Sequence, residues 1–340
     1  MQTRDRSVRV GIYGTGSWAN RTHIPNLLKL EGVEIVALCD RNLENLANTA
    51  AKFAISRTYQ DGHEMLARED MDALYSVVPA FVRTDVEAAA AAKGIHLFSE
   101  KPQSTTMAVA RRIDAAVQAS GVLSTVCFRE RYRPIFQEAR RLLGDKKISH
   151  IRFQSTADLP ITQVPPGAED NWHYQMDKAG GSAFDWGVHA VDYSRFMSGL
   201  DLVRAQAFYH HPEPYNKPLS CSFNFCLSNG ATMTMSFLST TPVSRSDKEP
   251  YFLIYFEGGY LGVHGYDHLE MNGEKVYQAE EFDPWFEQDR VFIEAVRSGD
   301  GNAILNDYHD GLSSLAPVLA GWESARRGGE CLDVAAFMDS

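Results

Sequence analysis

A glycine-rich turn set between a strand pattern and a helix pattern constrains this chain more than any other feature. Val8, Val10 and Ile12 alternate into Gly14-x-Gly16-x-x-Ala19, and a helical pattern follows from Ser17 with a break expected at Pro25. In that setting Gly14 permits a tight turn and Gly16 lets backbone approach an anion with no Cβ in the way. Ala19 is small enough for close helix–strand packing. The N–H groups at the helix start then face a pyrophosphate. A second apolar run, 33–39, ends at Asp40, where a carboxylate can accept hydrogen bonds from adenosine ribose hydroxyls. Strand, glycine turn, helix, strand and acid in this order specify a dinucleotide-binding unit.

The rhythm continues through the first third. Asn42 to Phe53 has helical spacing, and 73–78 is a strand ending at Pro79. Val86 to Ala92 makes an alanine-rich helix stopped by Gly94, where a left-handed cap is expected. Then come a strand over 95–99, a helix over about 108–119 and a strand through Val126. Strands alternating with helices imply a parallel sheet covered by helices on both faces. The remainder differs. A helix near 135–143 and an extended segment 148–156 precede a loop rich in Pro and Asp that runs to about Gly181. A helix from Ser182 or Asp185 to Met197 follows, then several strands. Asn229-Gly230, Gly258-Gly259 and Asn272-Gly273 mark hairpins among them. Helical patterns at 285–297 and about 308–326 close the chain. The expected fold is an α/β Rossmann domain, residues 1–125, plus an α+β domain with an open, mostly antiparallel sheet, residues 126–340.

Composition excludes several classes. A formal charge of −11 with no long basic run argues against nucleic acid or an anionic membrane as partner. Five cysteines without framework or metal-site spacing read as reduced, buried thiols. The polar start, 1–9, lacks the apolar core of a secretory signal, and no apolar stretch is long enough to span a bilayer. The expectation is a cytoplasmic protein. The histidine pairs His210-His211 and His264 with His268 lack carboxylate or cysteine spacing, so no metal is expected.

Two further motifs carry chemistry. Glu100-Lys101-Pro102 sits at the carboxyl end of a strand, the edge at which open α/β sheets bind ligands, so Lys101 is a candidate catalytic group. In Asp185-x-Gly187-x-His189-x-x-Asp192, Asp185 and His189 share one helix face, with Asp192 three residues beyond. Spacing alone leaves open a capping box, Ser182-x-x-Asp185, in which Asp185 merely satisfies backbone donors. Gly14, Gly16, Ser17, Trp18 and Ala19, with Asp40, Arg41, Pro79, Glu100, Lys101 and Pro102, are the candidate cofactor contacts. A carboxylate within about 4 Å of a 2′-phosphate would repel it, so Asp40 favours NAD; Arg41, able to take a phosphate, keeps NADP open.

Together these motifs resemble the Gfo/Idh/MocA family of NAD(P)-dependent sugar and polyol dehydrogenases. The likeness includes Thr22-His23-x-Pro25, Arg131-Tyr132-x-Pro134 and the Gly180-Gly181 pair before Asp185, and it runs nearly the whole chain. The resemblance implies that Lys101, Asp185 and His189 form the catalytic set. On that reading His189 takes the alcohol proton, since imidazole titrates near neutral pH. Lys101 donates to the reacting oxygen, and Asp185 orients substrate hydroxyls, with Asp192 behind. The resemblance also implies a cis peptide before Pro102. It implies a dimer or tetramer through the antiparallel sheet, a size light scattering would refute.

The chain departs from the family pattern at Ala80, Arg83, Arg129 and Trp186, so the substrate does not transfer with the resemblance. An anionic substrate bound by Arg83, Arg129 or Arg131 is one reading. Surface ion pairs or cofactor contacts are the simpler one. Arg129, Trp172, Trp186 and Asp192 are the candidate substrate contacts, Trp172 because an aromatic can cover the apolar face of a sugar ring. Internal redox with a retained NAD, and a non-catalytic sensor, are the alternatives to a dehydrogenase.

Overall fold

Every apolar run of the first third becomes a strand of one parallel sheet. In this computed structural model, which describes residues 7–168, 171–179, 181–239 and 249–340, the strands are β1 (Val8–Tyr13), β2 (Val33–Cys39), β3 (Thr58–Tyr59), β4 (Ala73–Ser76), β5 (His96–Ser99) and β6 (Ser124–Val126). Their order is β3-β2-β1-β4-β5-β6, all parallel. The order reverses between β1 and β4, which is where such sheets open a ligand crevice. Strands buried on both faces need continuous apolar runs, and Val10, Ile12, Leu38, Leu74 and Leu97 are all fully buried.

The intervening helices begin and end where local chemistry dictates. Asn42 caps the helix Leu43–Phe53 by accepting from the Asn45 N–H at 3.0 Å. Gly121, at φ +65°, ends the helix Met107–Ser120. The expected break at Pro25 is instead a change of helix type. A π-helical turn, Ala19–His23, runs directly into the helix Ile24–Lys29 with Pro25 at its first turn. Pro25 has no N–H to donate, and the wider turn places that gap at a helix start, where a missing donor costs least.

The second sheet runs β14-β13-β12-β11-β7-β10-β9-β8-β15. Its strands are β7 (Ile148–Thr156), β8 (Leu202–His210), β9 (Ser220–Leu227), β10 (Thr232–Leu238), β11 (Phe252–Phe256), β12 (Gly259–His264), β13 (His268–Met271), β14 (Glu274–Gln278) and β15 (Leu332–Asp333). Only β7 and β10 pair in parallel; the rest are antiparallel. Alternate residues point inward: Met233, Met235 and Phe237 of β10 meet Phe223 and Phe225 of β9 in the core. Each such side chain contributes about 1.5–3 kcal/mol by leaving water. All three glycine-marked hairpins form, joining β9–β10, β11–β12 and β13–β14.

The chain divides into Met1–Tyr132 with Asp283–Leu312, and Arg133–Phe282 with Ser313–Ser340. This differs from the expected 125/126 boundary. The helix Pro284–Ser298 belongs with the first unit because Phe292 packs its ring edge-on against Tyr75 and Phe98, 5.8 and 5.5 Å away. The cysteine expectation also needs correction: Cys39, Cys127 and Cys221 are buried, but Cys226 is half-buried and Cys331 exposed. Among the described residues no helix is long and apolar enough to cross a membrane.

Candidate active site

In the first unit the glycine turn has the shape an anion cradle needs. Gly14 sits at φ +99°, and a Cβ there would lie 2.7 Å from the Val77 carbonyl oxygen. The turn after β1 thus packs on backbone leaving β4, and only glycine fits. A Cβ at Gly16 would meet nothing within 4 Å, while Ser17 and Trp18 are exposed and Ala19 is buried. Asp40 braces the turn: its Oδ2 accepts from the Thr15 N–H at 2.7 Å and hydroxyl at 3.0 Å, and its Oδ1 from the Asn42 N–H at 2.8 Å. Each carboxylate oxygen offers two lone pairs, so capacity for a ribose hydroxyl remains. Arg41 is exposed beside it. Asn20, which the sequence reading passed over, ties the turn from below, donating to the carbonyls of Thr15 and Gly16 and to the Thr49 hydroxyl.

Glu100-Lys101-Pro102 follows β5, and the Lys101–Pro102 peptide is cis, as the resemblance implied. Three side chains anchor this turn. The Trp18 indole donates to Glu100 Oε1 at 2.7 Å. His23, fully buried, meets the same oxygen through Nε2 at 3.0 Å and Asp289 through Nδ1 at 2.9 Å. Arg83 donates to the Glu100 carbonyl, to Ser76 and Ser99 hydroxyls at 3.1 and 2.9 Å, and to Glu87 at 3.2 Å. Glu100 Oε2 in turn accepts from the Lys101 N–H at 2.9 Å. Lys101 is half-buried, Pro102 buried and Pro79 half-buried.

The electrostatics follow from this packing. Burial alone would raise the Glu100 carboxyl, but the His23 hydrogen bond and charge outweigh it and hold the group at about 2. Burial opposes charge on His23, yet Asp289 and Glu100 raise its pKa well above the usual imidazole range. His23 is therefore a buried imidazolium between two carboxylates.

The arginine expectations are corrected here. Arg83 is not a surface group; its side chain is wholly buried against an equally buried Glu87. Arg131 pairs with Asp310 at 2.6 Å and donates to the Leu305 carbonyl. Arg129 is nearly buried, with its guanidinium 4.4 Å over the Trp285 ring and Nε 3.1 Å from Glu130. Each of the three has a partner inside the first unit.

In the second unit, Asp185 ends the short helix Gly181–Asp185 and Trp186 leads into Gly187–Ser198. Ser182 lies inside the first of these helices, not ahead of it, so the capping-box reading falls. Gly180 and the side chains of Ser182 and His173 lie outside the described residues. A Cβ at Gly187 would approach Val318 to 3.2 Å, so the glycine lets this helix pack closely. His189 is buried; its Nδ1 lies 2.8 Å from the Tyr193 hydroxyl, with that ring stacked on the imidazole and the Trp186 ring 5.4 Å away. Asp192 is fully buried and accepts from Ser314 at 2.9 Å, which places it among helices rather than at an open surface. Trp172 is half-buried in a single 3₁₀ turn, Trp172–Tyr174. Lys217 is a residue the sequence did not single out. Burial lowers its pKa against the pull of Asp185, which sets an ammonium in reach of that carboxylate's field.

A doubly wound dinucleotide-binding unit with a lysine turn at its ligand edge, and a second unit that carries a half-buried Asp185 and a buried His189 beside an open sheet, define a nicotinamide-dependent oxidoreductase architecture. The chain belongs to the Gfo/Idh/MocA oxidoreductases: residues 8–128 match the family's NAD-binding Rossmann fold and residues 136–262 its C-terminal domain. It is 29% identical over 231 residues to dTDP-3,4-didehydro-2,6-dideoxy-alpha-D-glucose 3-reductase of Streptomyces antibioticus, covering 68% of this chain and 69% of that one. It is 31% identical over 201 residues to D-apiose dehydrogenase of Paraburkholderia graminis, covering 58% of this chain and about half, 51%, of the relative. The WlbA dehydrogenase of Bordetella pertussis, solved with NADH and UDP-GlcNAcA, shares the fold at TM-score 0.81 and 22% identity, covering 96% of this chain and 99% of that one. The chain is an oxidoreductase with an NAD-binding domain.

Proposed function

We propose that the protein transfers a hydride between a secondary alcohol of a sugar, polyol or sugar derivative and nicotinamide, with Lys101, Asp185 and His189 as its catalytic residues. The observation that carries this reading is the fixing of the Lys101 turn by Trp18, His23 and Arg83 at the carboxyl edge of the parallel sheet. A turn held by two buried side chains, His23 and Arg83, and by the indole N–H of Trp18 aims its lysine without paying for order during the reaction. Gly14, Gly16, Ser17, Trp18 and Ala19 would hold the cofactor phosphates, Asp40 the ribose, and Pro79 with Glu100-Lys101-Pro102 the nicotinamide end. A carboxylate at the ribose favours NAD over NADP. The bound nicotinamide supplies the hydride acceptor or donor.

The chain's own residues supply the proton chemistry. Lys101 donates a hydrogen bond to the reacting oxygen and stabilises charge developing there. His189 accepts the alcohol proton at Nε2, while Tyr193 holds Nδ1 and fixes the ring's aim. Asp185 orients a neighbouring substrate hydroxyl, with Trp186 and Trp172 offering aromatic surface to the ring. A screen of sugars, inositols, sugar acids and sugar phosphates with NAD and NADP, read by absorbance of the reduced cofactor, tests the proposal. One substrate should turn over, and Lys101→Ala or His189→Ala should each lower kcat by about 10²–10⁴-fold. Turnover nearly unchanged in both variants would sink the assignment.

A further inference from the structure

Three side chains on the β12–β13 hairpin converge although their spacing along the chain is not that of a metal motif. His264 and His268 are direct cross-strand partners, and Glu270 lies opposite Gly262 on the same face. Their ligand atoms fall within 4.8 Å of one another, and His264 Nε2 is 3.6 Å from Glu270 Oε2. The absence of a neighbouring carboxylate, which argued against a metal, is thus corrected by strand register. We propose that His264, His268 and Glu270 form a binding site for a divalent ion of the zinc class, apart from the residues proposed for redox chemistry.

The atoms around the trio are arranged as ligand supports. His268 Nδ1 lies 2.7 Å from Asp267 Oδ2. A carboxylate can only accept, so Nδ1 carries a proton and Nε2 is the ring atom left to bind a metal. Asp267 is itself fixed, taking the Gln278 amide at 2.8 Å. Tyr260 donates to Glu270 Oε1 at 2.9 Å, which turns Oε2 toward His264. Supports of this kind, here behind His268 and Glu270, are what orient the ligands of metal sites. Gly262 provides the room: a Cβ there would stand 3.3 Å from His264 Nε2, so the imidazole can lean across the strand toward Glu270. All three ligands are partly shielded, with side chains 16–27% exposed.

The donor set selects the ion. Two imidazoles and one carboxylate suit Zn²⁺, Co²⁺ or Ni²⁺ rather than Mg²⁺ or Ca²⁺, which prefer oxygen alone. Bonds of about 2.0–2.1 Å in a tetrahedron set ligand atoms roughly 3.3 Å apart, close to the 3.6 Å between His264 and Glu270. The two imidazoles stack with centroids 4.3 Å apart and planes 10° apart, so binding turns a ring about its Cβ–Cγ bond. Water completes the coordination.

Tag-free protein, stripped by chelator and desalted, is titrated with Co²⁺ and followed by calorimetry and visible absorbance, then back-titrated with Zn²⁺. The expected result is one Co²⁺ per chain with ligand-field bands that Zn²⁺ erases. His268→Gln and His264→Gln each remove the bands. Asp267→Asn keeps all three ligands yet weakens binding about 10–100-fold. This conservative variant decides the matter even if a ligand variant misfolds. No stoichiometric uptake by the wild type would overturn the site, as would equal affinity in the wild type and Asp267→Asn.

Discussion

Replacing His23 by Gln removes the imidazolium from between Glu100 and Asp289 and leaves two buried carboxylates facing an amide. Breaking a buried pair from one side costs about 3–5 kcal/mol. The structure gives a second route to the magnitude. The Glu100 carboxyl is brought from an ordinary 4.5 to about 2, against burial, chiefly by His23 and then by Lys101. At 1.36 kcal/mol per pH unit that displacement is worth about 3 kcal/mol. The sign follows from the depressed acid. Its contribution is complete above pH 4.5 and is lost as pH falls from there toward 2. The raised His23 contributes fully below pH 6.5 and loses its share only as pH climbs through its elevated folded value. Urea unfolding monitored by circular dichroism between about pH 3 and about pH 8 reads both limbs. His23→Gln should lose about 3–5 kcal/mol at pH 7 and show a shallower acid limb. Adding Asp289→Asn should restore at least about 1 kcal/mol, because the stranded carboxylate is then neutral. Wild-type stability in His23→Gln, with an unaltered acid limb, would refute the buried imidazolium.

Gly14→Ala should weaken NADH binding by at least about tenfold by fluorescence titration, since its Cβ would meet the Val77 carbonyl at 2.7 Å with φ at +99°; strain of that kind costs about 1–3 kcal/mol. Wild-type affinity would remove this turn from the cofactor site. Arg83→Met should lower stability by about 3–5 kcal/mol, because it leaves Glu87 buried and uncompensated. Arg83→Lys should recover little of that loss, as one ammonium cannot span Glu87, two hydroxyls and the Glu100 carbonyl in a single fork. A melting temperature unchanged in Arg83→Met would refute the anchor.

Legibility divides by how far apart in the chain the cooperating residues lie. The five longer strands of the parallel sheet, the left-handed Gly94 that stops its helix and the three hairpins were readable because periodicity, capping and turn chemistry act over a few residues. β3 escaped because two residues, Thr58–Tyr59, carry no period, and the π-turn escaped because Pro25 signals only a missing donor, not its remedy. Arg83 and His23 sat in plain view as motif residues, yet their partners lie 17 and 266 positions away. Charge on a side chain does not say whether its counter-charge is solvent, ligand or a buried carboxylate. The expectation of surface ion pairs, one half of the simpler reading of the arginines, failed for that reason. Glu270 shows the same limit at short range. Read along the chain it is an ordinary acid on a strand, and only the pairing of His264 with His268 across the hairpin carries it to the two imidazoles. Register is set by the whole sheet, and so a site built on register becomes visible only once the sheet is closed.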